Sequence, residues 1–322
     1  ILETAGIRKF FAGPESFTPD TNTLLGEVPE IKNFFVCSGL NSIGIGSGGG
    51  VGKVTAEWLM TGHINEDIFN YDIKRFQKFH SEINFIKNRI TETLGDLYGM
   101  HWPFKQHETS RNIKTVPYHE ELKKAGACFG VSGGYERPMW FALNGNNPEY
   151  EYSYSYQNWY PSAEFETKNT SKNIGLFELT PFSKFELQGG NAHQELQKIC
   201  TANIKNEVGK STYTQMLNID GGIETDLTVI CLDKNYFRII SSAATRERDK
   251  FHIKKHLTND LDLKDVTDDY CTLGLFGPKS RNLLSKLSND DFSNSNFKFG
   301  IGKLTTINSK DIWVQRLSYV GE

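Results

Sequence analysis

The sequence predicts a mixed chain, α/β in its first part and α+β in the remainder. Three observations lead to this fold class. A glycine-rich stretch over 41–53 separates an apolar, strand-like run from a helix-like segment, and an amphipathic helical stripe follows over 70–97. Beyond residue 150, short strand-like and helix-like patterns alternate. The 322 residues are enough for two domains, each with its own core.

The first elements are predicted before residue 62. Strand-like runs occupy 9–13 (KFFAG) and 33–40 (NFFVCSGL), with proline and glycine turn signals between them. The glycine-rich stretch is predicted to be a loop. The segment 54–60 (VTAEWLM) is predicted to be the helix that follows it, ending near Gly62.

A helical stripe follows this first part of the chain. Its apolar residues recur at steps of three and four: Ile73, Phe76, Phe79, Ile83, Ile86 and Ile90. This spacing predicts an amphipathic helix over 70–97 whose apolar side packs on a core. A short helix is predicted over 118–126, and the aromatic segment 144–161 reads as an extended connector with a domain boundary near residue 150.

The remaining elements follow from periodicity. Helices are predicted at 162–173, 191–200, 245–257 and 278–287, and strands at 183–189, 212–231 (a pair), 236–242 and 270–277.

Composition excludes several classes of function. The net charge of −3 is spread evenly along the chain, so nucleic acid and anionic membrane surfaces are not expected partners. No apolar run approaches the roughly 18 residues of a membrane span. The five cysteines form no C-x-x-C pair, which indicates a reducing compartment and no zinc site. His252 and His256 flank two lysines, so a solvated basic helix face is favoured over a metal site.

The glycine-rich stretch resembles two phosphate-binding motifs. Gly44, Gly46 and Gly49 fit the dinucleotide motif G-x-G-x-x-G, but the second strand that this motif requires does not follow. A Walker A loop fails because Ser47 and Val54 replace its glycine and its hydroxyl residue. Backbone amides at the start of a helix still favour a negatively charged ligand atom. Close packing of helix on strand without any ligand is the alternative.

A second candidate site lies on a predicted β-hairpin. The Asp-Gly pair at 220–221 is a strong two-residue loop signal, and it predicts Gln215 opposite Asp226 and Tyr213 opposite Thr228. These four polar side chains then share one face, with Tyr213 diagonal to Asp226 and within its reach. The other face carries Thr214, Met216, Leu227 and Val229. An ordinary hairpin with a solvated face is the alternative.

Several strings together resemble the dimethylglycine and sarcosine dehydrogenase family. They are GPESFTPD at 13–20, NFFVCSGLNSIGIGSGGGVGK at 33–53, AEWLMTG at 56–62, HWPF at 101–104 and GYERPMWFA at 134–142. The resemblance implies the C-terminal piece of a flavin-binding oxidoreductase domain over 1–62 and a small central domain over 63–150. It implies the N-terminal part of a folate-binding aminomethyltransferase domain, similar to the T protein of glycine cleavage, over 151–322. Since the chain starts at Ile1 and stops at Glu322, we expect a fragment.

The resemblance also implies cofactors and site residues. FAD is expected at Gly44, Ile45, Gly46, Ser47, Gly48 and Gly49, and tetrahydrofolate at Tyr213, Asp226, Thr228 and Tyr319. Asp226 matches the family's catalytic carboxylate, near the folate nitrogen N10. A carboxylate suits this role because it can orient an amine and move a proton.

The activity implied for the intact protein is oxidative demethylation of a small methylated glycine, with transfer of the one-carbon unit to tetrahydrofolate. The electron acceptor and the oligomeric state are left open. The implied location is the cytoplasm, or the mitochondrial matrix in a eukaryote. Two alternatives are a non-catalytic regulatory relative, similar to the regulatory subunit of pyruvate dehydrogenase phosphatase, and a demethylase built on the folate domain alone.

Overall fold

The computed structural model describes residues 2–64, 66–143, 145–258 and 260–318. The chain divides into two compact units, one of residues 1–73 and 82–99 and the other of 74–81 and 100–322. The first unit contains strands β1 (Leu24–Glu27) and β2 (Phe35–Ser38) and helices α1 (Gly44–Thr61) and α2 (Ile83–Leu97).

In the first unit, α1 is anchored on the β1–β2 hairpin by its second half. The buried Trp58 ring meets the Phe35 ring edge-on, with centroids 5.8 Å apart. The same indole lies where a side chain on Gly26 would stand, and the φ of Gly26 is 106°. Only glycine fits at this position, since it lacks a Cβ and tolerates positive φ. α1 ends where predicted, with Gly62 in the left-handed conformation at the C-cap.

The predictions for residues 9–13 and for the helical stripe are wrong. Residues 9–13 form no strand, and Phe10 and Phe11 are exposed; β1 forms further along the chain instead. The helical stripe does not start at residue 70, because the Leu25 amide of β1 donates to the Tyr71 carbonyl (2.9 Å) and Asp72 bridges to the same strand. That pairing holds the backbone extended, and the helix begins only at Ile83.

The second unit contains most of the chain's regular structure. Its helices are α3 (His119–Lys124), α4 (Tyr160–Lys172), α5 (Ala192–Ile199), α6 (Arg246–His256) and α7 (Ser280–Leu287). Its strands are β3 (Ala127–Ser132), β4 (Tyr135–Phe141), β5 (Gly175–Glu178), β6 (Ser183–Gln188), β7 (Ser211–Leu217), β8 (Ile223–Asp233), β9 (Tyr236–Ser241), β10 (Asp262–Asp265), β11 (Leu273–Phe276), β12 (Gly302–Ile307) and β13 (Lys310–Gln315).

The centre of this unit is an antiparallel five-stranded sheet in the order β10-β6-β9-β8-β7. One face of the sheet is fully buried beneath α5 and α6. Its core residues include Phe185, Leu187, Leu196, Met216, Val229, Phe237, Ile239 and Ile253. Because side chains alternate between the two faces of a sheet, the residues between these core positions lie on the opposite face.

The helices and strands predicted beyond residue 150 are confirmed to within a few residues. The sequence reasoning missed the β3–β4 hairpin, which turns at Gly133 and Gly134, both with positive φ. It also missed β5, β10 and the β12–β13 hairpin, which turns at Asn308 and Ser309. No helix among the described residues is both long and apolar enough to cross a bilayer.

Asp249 on α6 gives a test of the core. The residue is 1% exposed, and its Oδ2 accepts a hydrogen bond from the Thr245 hydroxyl at 2.6 Å. Burial raises the pKa of Asp249 from 3.8 to about 6. The folded-state pKa lies above the unfolded value. The protonated Asp249 carboxyl therefore contributes to the free energy of unfolding in full below pH 3.8, and this contribution is lost as the pH rises through about 6.

We compare the free energies of unfolding of Asp249→Asn and wild type. As the pH rises from 4 to 7, this difference should shift in favour of the variant by about 1 to 3 kcal/mol, because the amide has no proton to lose. Urea unfolding of both proteins at the two pH values measures this change. A stability difference that stays constant with pH contradicts the assignment.

Candidate functional site

The hairpin of β7 and β8 has the register that the sequence predicts. Gln215 lies opposite Asp226, and Tyr213 lies opposite Thr228. The predicted two-residue loop is wrong, however, since a β-bulge after Met216 lengthens the connection to residues 218–222. The register survives because burial of one face forbids a slip by a single residue.

A side chain explains the longer loop. The Asn218 Oδ1 accepts the backbone amides of Asp220 (3.0 Å) and Gly222 (2.8 Å), and the Asn218 amide donates to the Gly222 carbonyl at 2.8 Å. Asparagine commonly closes a turn on its own backbone in this way. The Asn218 side chain thus accepts backbone amides of the loop that lie outside the hydrogen-bonded ladder of β7 and β8.

The two faces of the hairpin differ sharply. Thr214, Met216, Leu227 and Val229 lie on the predicted opposite face, and they are buried. On the other face, Tyr213 is 63% exposed and Asp226 is also exposed. The Tyr213 hydroxyl donates to Asp226 Oδ2 at 3.0 Å, so the predicted diagonal contact is confirmed. Among the described residues, the Asp226 carboxylate has no cationic partner, and its Oδ1 accepts no hydrogen bond.

The polar face continues across the sheet from this pair. Thr228 lies opposite both Tyr213 and Ile240, and Ile230 lies opposite Arg238. Thr228 is half-buried between the two neighbouring strands. Along this face of β8, Asp226 is exposed, Thr228 is half-buried and Ile230 is buried. The Asp226 carboxylate therefore lies where the face is open to solvent.

The covered part holds an ion pair that the sequence reasoning did not identify. Arg238 donates from Nε and Nη2 to Glu186 Oε1 at 3.1 and 2.5 Å, and its guanidinium lies 4.3 Å from the Tyr270 ring centroid. The Tyr236 hydroxyl donates to the other oxygen of Glu186. Burial and this carboxylate raise the pKa of Tyr236 to about 12. Alternation along SKFELQ, the sequence of β6, is enough to predict Glu186 on the polar face. It does not predict the partner, Arg238, which comes from β9.

The glycine-rich residues do not form the predicted loop. Gly44, Ile45, Gly46, Ser47, Gly48 and Gly49 form the first turns of α1. Because the second half of α1 is docked through Trp58, the helix extends toward its N-terminus despite the low helix propensity of glycine.

The N-terminus of α1 still exposes backbone donors. No side chain caps the helix at Ile43, so the first amides, from residues 44–46, point out of its end. A Cβ on Gly46, Gly48 or Gly49 would meet no atom within 4 Å. The Ser47 hydroxyl donates to the Ile43 carbonyl at 2.8 Å and is therefore already engaged within the helix. Tyr319, the remaining predicted site residue, lies outside the described residues.

The sequence matches two protein families. Residues 118–322 match the GCVT N-terminal domain, and residues 61–115 match the FAD dependent oxidoreductase central domain. The crystal structure of the glycine cleavage system aminomethyltransferase T from Bartonella henselae is similar in fold, with a TM-score of 0.52 and 21% identity over 65% of this chain and 51% of that one.

Three curated relatives share more sequence. 4-Methylaminobutanoate oxidase (formaldehyde-forming) of Paenarthrobacter nicotinovorans is 38% identical over this whole chain and 39% of its own length. The mouse pyruvate dehydrogenase phosphatase regulatory subunit is 33% identical over 89% of this chain and 34% of its own length. Human sarcosine dehydrogenase is 30% identical over the whole chain and 40% of its own length. The chain thus spans about a third to two fifths of the length of these relatives.

The loop beside the candidate site can be tested through Asn218. Replacing Asn218 with alanine removes the acceptor for two loop amides, at a cost of about 1 to 2 kcal/mol in the free energy of unfolding. Asn218→Asp keeps the acceptor oxygen and should lose much less. Urea unfolding measures both; equal losses in the two variants would show that the acceptor does not hold the loop.

Proposed function

We propose a function from the premise that this chain belongs to the GCVT N-terminal domain family and carries, ahead of that domain, the central domain of FAD dependent oxidoreductases. The chain is then part of an FAD-dependent enzyme that oxidatively demethylates a small N-methylated amino acid. Its folate domain passes the one-carbon unit to tetrahydrofolate. The observation that carries this proposal is the exposed Tyr213–Asp226 pair on the polar face of the sheet.

The donor set on this face fits a reduced folate. Tyr213 fixes one oxygen of Asp226, and the other oxygen points to solvent without a partner among the described residues. When bound, tetrahydrofolate supplies the amine nitrogens that take up a one-carbon unit. Asp226 Oδ1 would accept an N–H of such an amine, orient its lone pair and receive its proton. The Thr228 hydroxyl, on the same face, would add a hydrogen bond to the ligand, and Tyr319 is retained as a proposed folate contact.

The start of α1 fits an electron-rich part of a flavin. The outward amides of Gly44, Ile45 and Gly46 present partial positive charge at the helix end. Since Gly48 and Gly49 lie further along the helix, they would contribute an open, side-chain-free surface rather than donors. FAD, when bound, supplies the acceptor for the hydride removed from the substrate. The residues of α1 would hold its ring system in place.

The substrate class follows from the names of the relatives. One is a sarcosine dehydrogenase and another a 4-methylaminobutanoate oxidase, so we assign this chain's enzyme a small N-methylated amino acid. We keep the domain boundaries near residues 62 and 150, and a cytoplasmic or mitochondrial matrix location, as parts of the proposal.

Two alternatives have less support. A non-catalytic regulatory role is favoured by the 33% identity to the mouse phosphatase regulatory subunit, but such a role gives no reason for an exposed Tyr213–Asp226 pair. A demethylase built on the folate domain alone leaves the match of residues 61–115 to an oxidoreductase domain without a purpose.

Asp226 is tested in the full-length protein. Asp226→Asn should lower methylenetetrahydrofolate formation by about 10²- to 10⁴-fold, because the amide cannot accept the proton. Reduction of the flavin by substrate should be unchanged, and the one-carbon unit should appear as formaldehyde. Stopped-flow absorbance and product analysis separate the two steps.

The matched control for this test is Asp220→Asn, the same charge change in the loop of the same hairpin, which should leave both steps intact. Normal methylenetetrahydrofolate formation in Asp226→Asn would remove the proposed role, and equal losses in both steps would indicate a structural one.

The proposed flavin contact is tested with two glycines of α1. Gly46→Ala and Gly50→Ala should each stabilise the chain by up to about 1 kcal/mol, because alanine favours a helix and neither Cβ meets an atom within 4 Å. Only Gly46→Ala should weaken flavin retention in the full-length protein, measured as flavin released during dialysis. Equal retention in the two variants would exclude this contact.

A further inference from the structure

The connector between β4 and α4 is a closed loop held by side-chain amides. Asn158 accepts the Glu151 amide at 3.1 Å and donates to the Glu149 carbonyl at 2.7 Å. Gln157 is 5% exposed and donates to the carbonyls of Pro103 (2.9 Å) and Ser153 (3.0 Å). Because these two amides satisfy the loop backbone, the connector has a defined shape rather than that of a free linker.

This loop and the start of α4 line a cleft of about 410 Å³. Its aromatic wall consists of Tyr152, Tyr156 and Tyr160. Tyr152 is held in place, since its hydroxyl accepts the Gln106 amide at 2.9 Å and its ring stacks on Tyr150 with centroids 5.7 Å apart. The rings of Tyr156 and Tyr160 support each other, with centroids 4.4 Å apart. Each ring of the wall is thus supported by another ring, while Tyr156 and Tyr160 stay 78% and 41% exposed.

The same cleft carries negative charge without a counterion. Glu151 lines it, and among the described residues the Glu151 carboxylate takes part in no ion pair or hydrogen bond. The lining residues include no lysine, arginine or histidine. The π faces of tyrosine rings are also electronegative, so ring and carboxylate attract the same kind of ligand.

We propose that this cleft binds a methylated ammonium ion. A cation is selected by the Glu151 carboxylate and by the faces of the tyrosine rings. N-methyl groups are selected over a primary ammonium because they spread the charge over a weakly hydrated apolar surface that packs on aromatic rings. The cleft is open to solvent, so binding is weak, in the millimolar range. It needs neither flavin nor folate, and it stands whether or not the proposed enzyme function holds.

Exposed tyrosines also occur at protein interfaces. A docking surface for a protein, however, gains little from an unpaired carboxylate in the same cleft as three rings. A small cation in the cleft can contact the rings and neutralise Glu151 at the same time.

The experiment compares choline with its uncharged isostere 3,3-dimethylbutan-1-ol, using NMR titration of the 322-residue chain at constant ionic strength. Choline should shift the ring resonances of the cleft tyrosines in a saturable manner, and the isostere should bind about tenfold more weakly. Equal binding of the two compounds would mean an adventitious hydrophobic contact only, and it would overturn the proposal. Concentration-dependent self-association without choline binding would identify a protein interface and overturn it as well.

Variants assign the binding to the cleft. Glu151→Gln and Tyr156→Leu should each weaken choline binding about three- to tenfold, whereas Tyr156→Phe, which keeps the ring, should stay within about twofold. Glu149→Gln is the matched control, because it makes the same charge change two residues away and outside the cleft. Circular dichroism establishes that each variant is folded. Unchanged binding in Glu151→Gln, or an equal loss in Glu149→Gln, would overturn the proposal.

Discussion

Burial of one face of the five-stranded sheet fixes where the functional side chains of the second unit lie. Phe185, Leu187, Phe237 and Ile239 are completely buried against α5 and α6. With a side-chain period of two, any slip of β7 or β8 by one residue would bring core residues into water and Asp226 into the core. The cost of that exchange holds the Tyr213–Asp226 pair on the open face, although nothing buries the pair itself.

A charged cluster at the other side of the sheet joins the β3–β4 hairpin to it. Asp268 accepts hydrogen bonds from Lys114 and Tyr135, each at 2.9 Å, and also pairs with Arg246. Burial alone would raise the pKa of Asp268, but Arg246 and Lys114 outweigh it and lower the pKa to about 2. Arg246 binds Asp265 as well, so its guanidinium links α6 to β10 directly and to the hairpin through Asp268 and Tyr135. The residues before and after the connector are thereby held in one unit.

The sequence predicts what depends on local periodicity and fails where distant groups decide. Alternation in β7 and β8 predicts the contact of Tyr213 with Asp226, but it does not predict the longer loop that Asn218 closes. The regular spacing of the helical stripe predicts a helix from residue 70, but Asp72 pairs with β1 and the helix begins only at Ile83. The glycines of α1 argue for a loop by propensity, yet docking of Trp58 extends the helix through them. β6 pairs with β9 and β10, which lie about 50 or more residues further along the chain, and a local sequence pattern does not predict such pairing.

Two sets of carboxylates in the second unit have different physical roles. Glu136, Glu186 and Asp265 are largely buried, and each is paired with an arginine, because an unpaired buried charge would cost several kcal/mol. Asp226 and Glu151 are exposed and, among the described residues, have no cationic partner. Water solvates them at little cost, so the fold does not need them. Asp226 accepts a hydrogen bond from Tyr213, and Glu151 lines a cleft with three tyrosines. A solvated carboxylate next to an aromatic ring contributes little to folding, but it offers a ligand both a hydrogen-bond acceptor and an apolar surface. Asp226 and Glu151, whose charges have no cationic partner among the described residues, are therefore the carboxylates at which we expect ligands to bind.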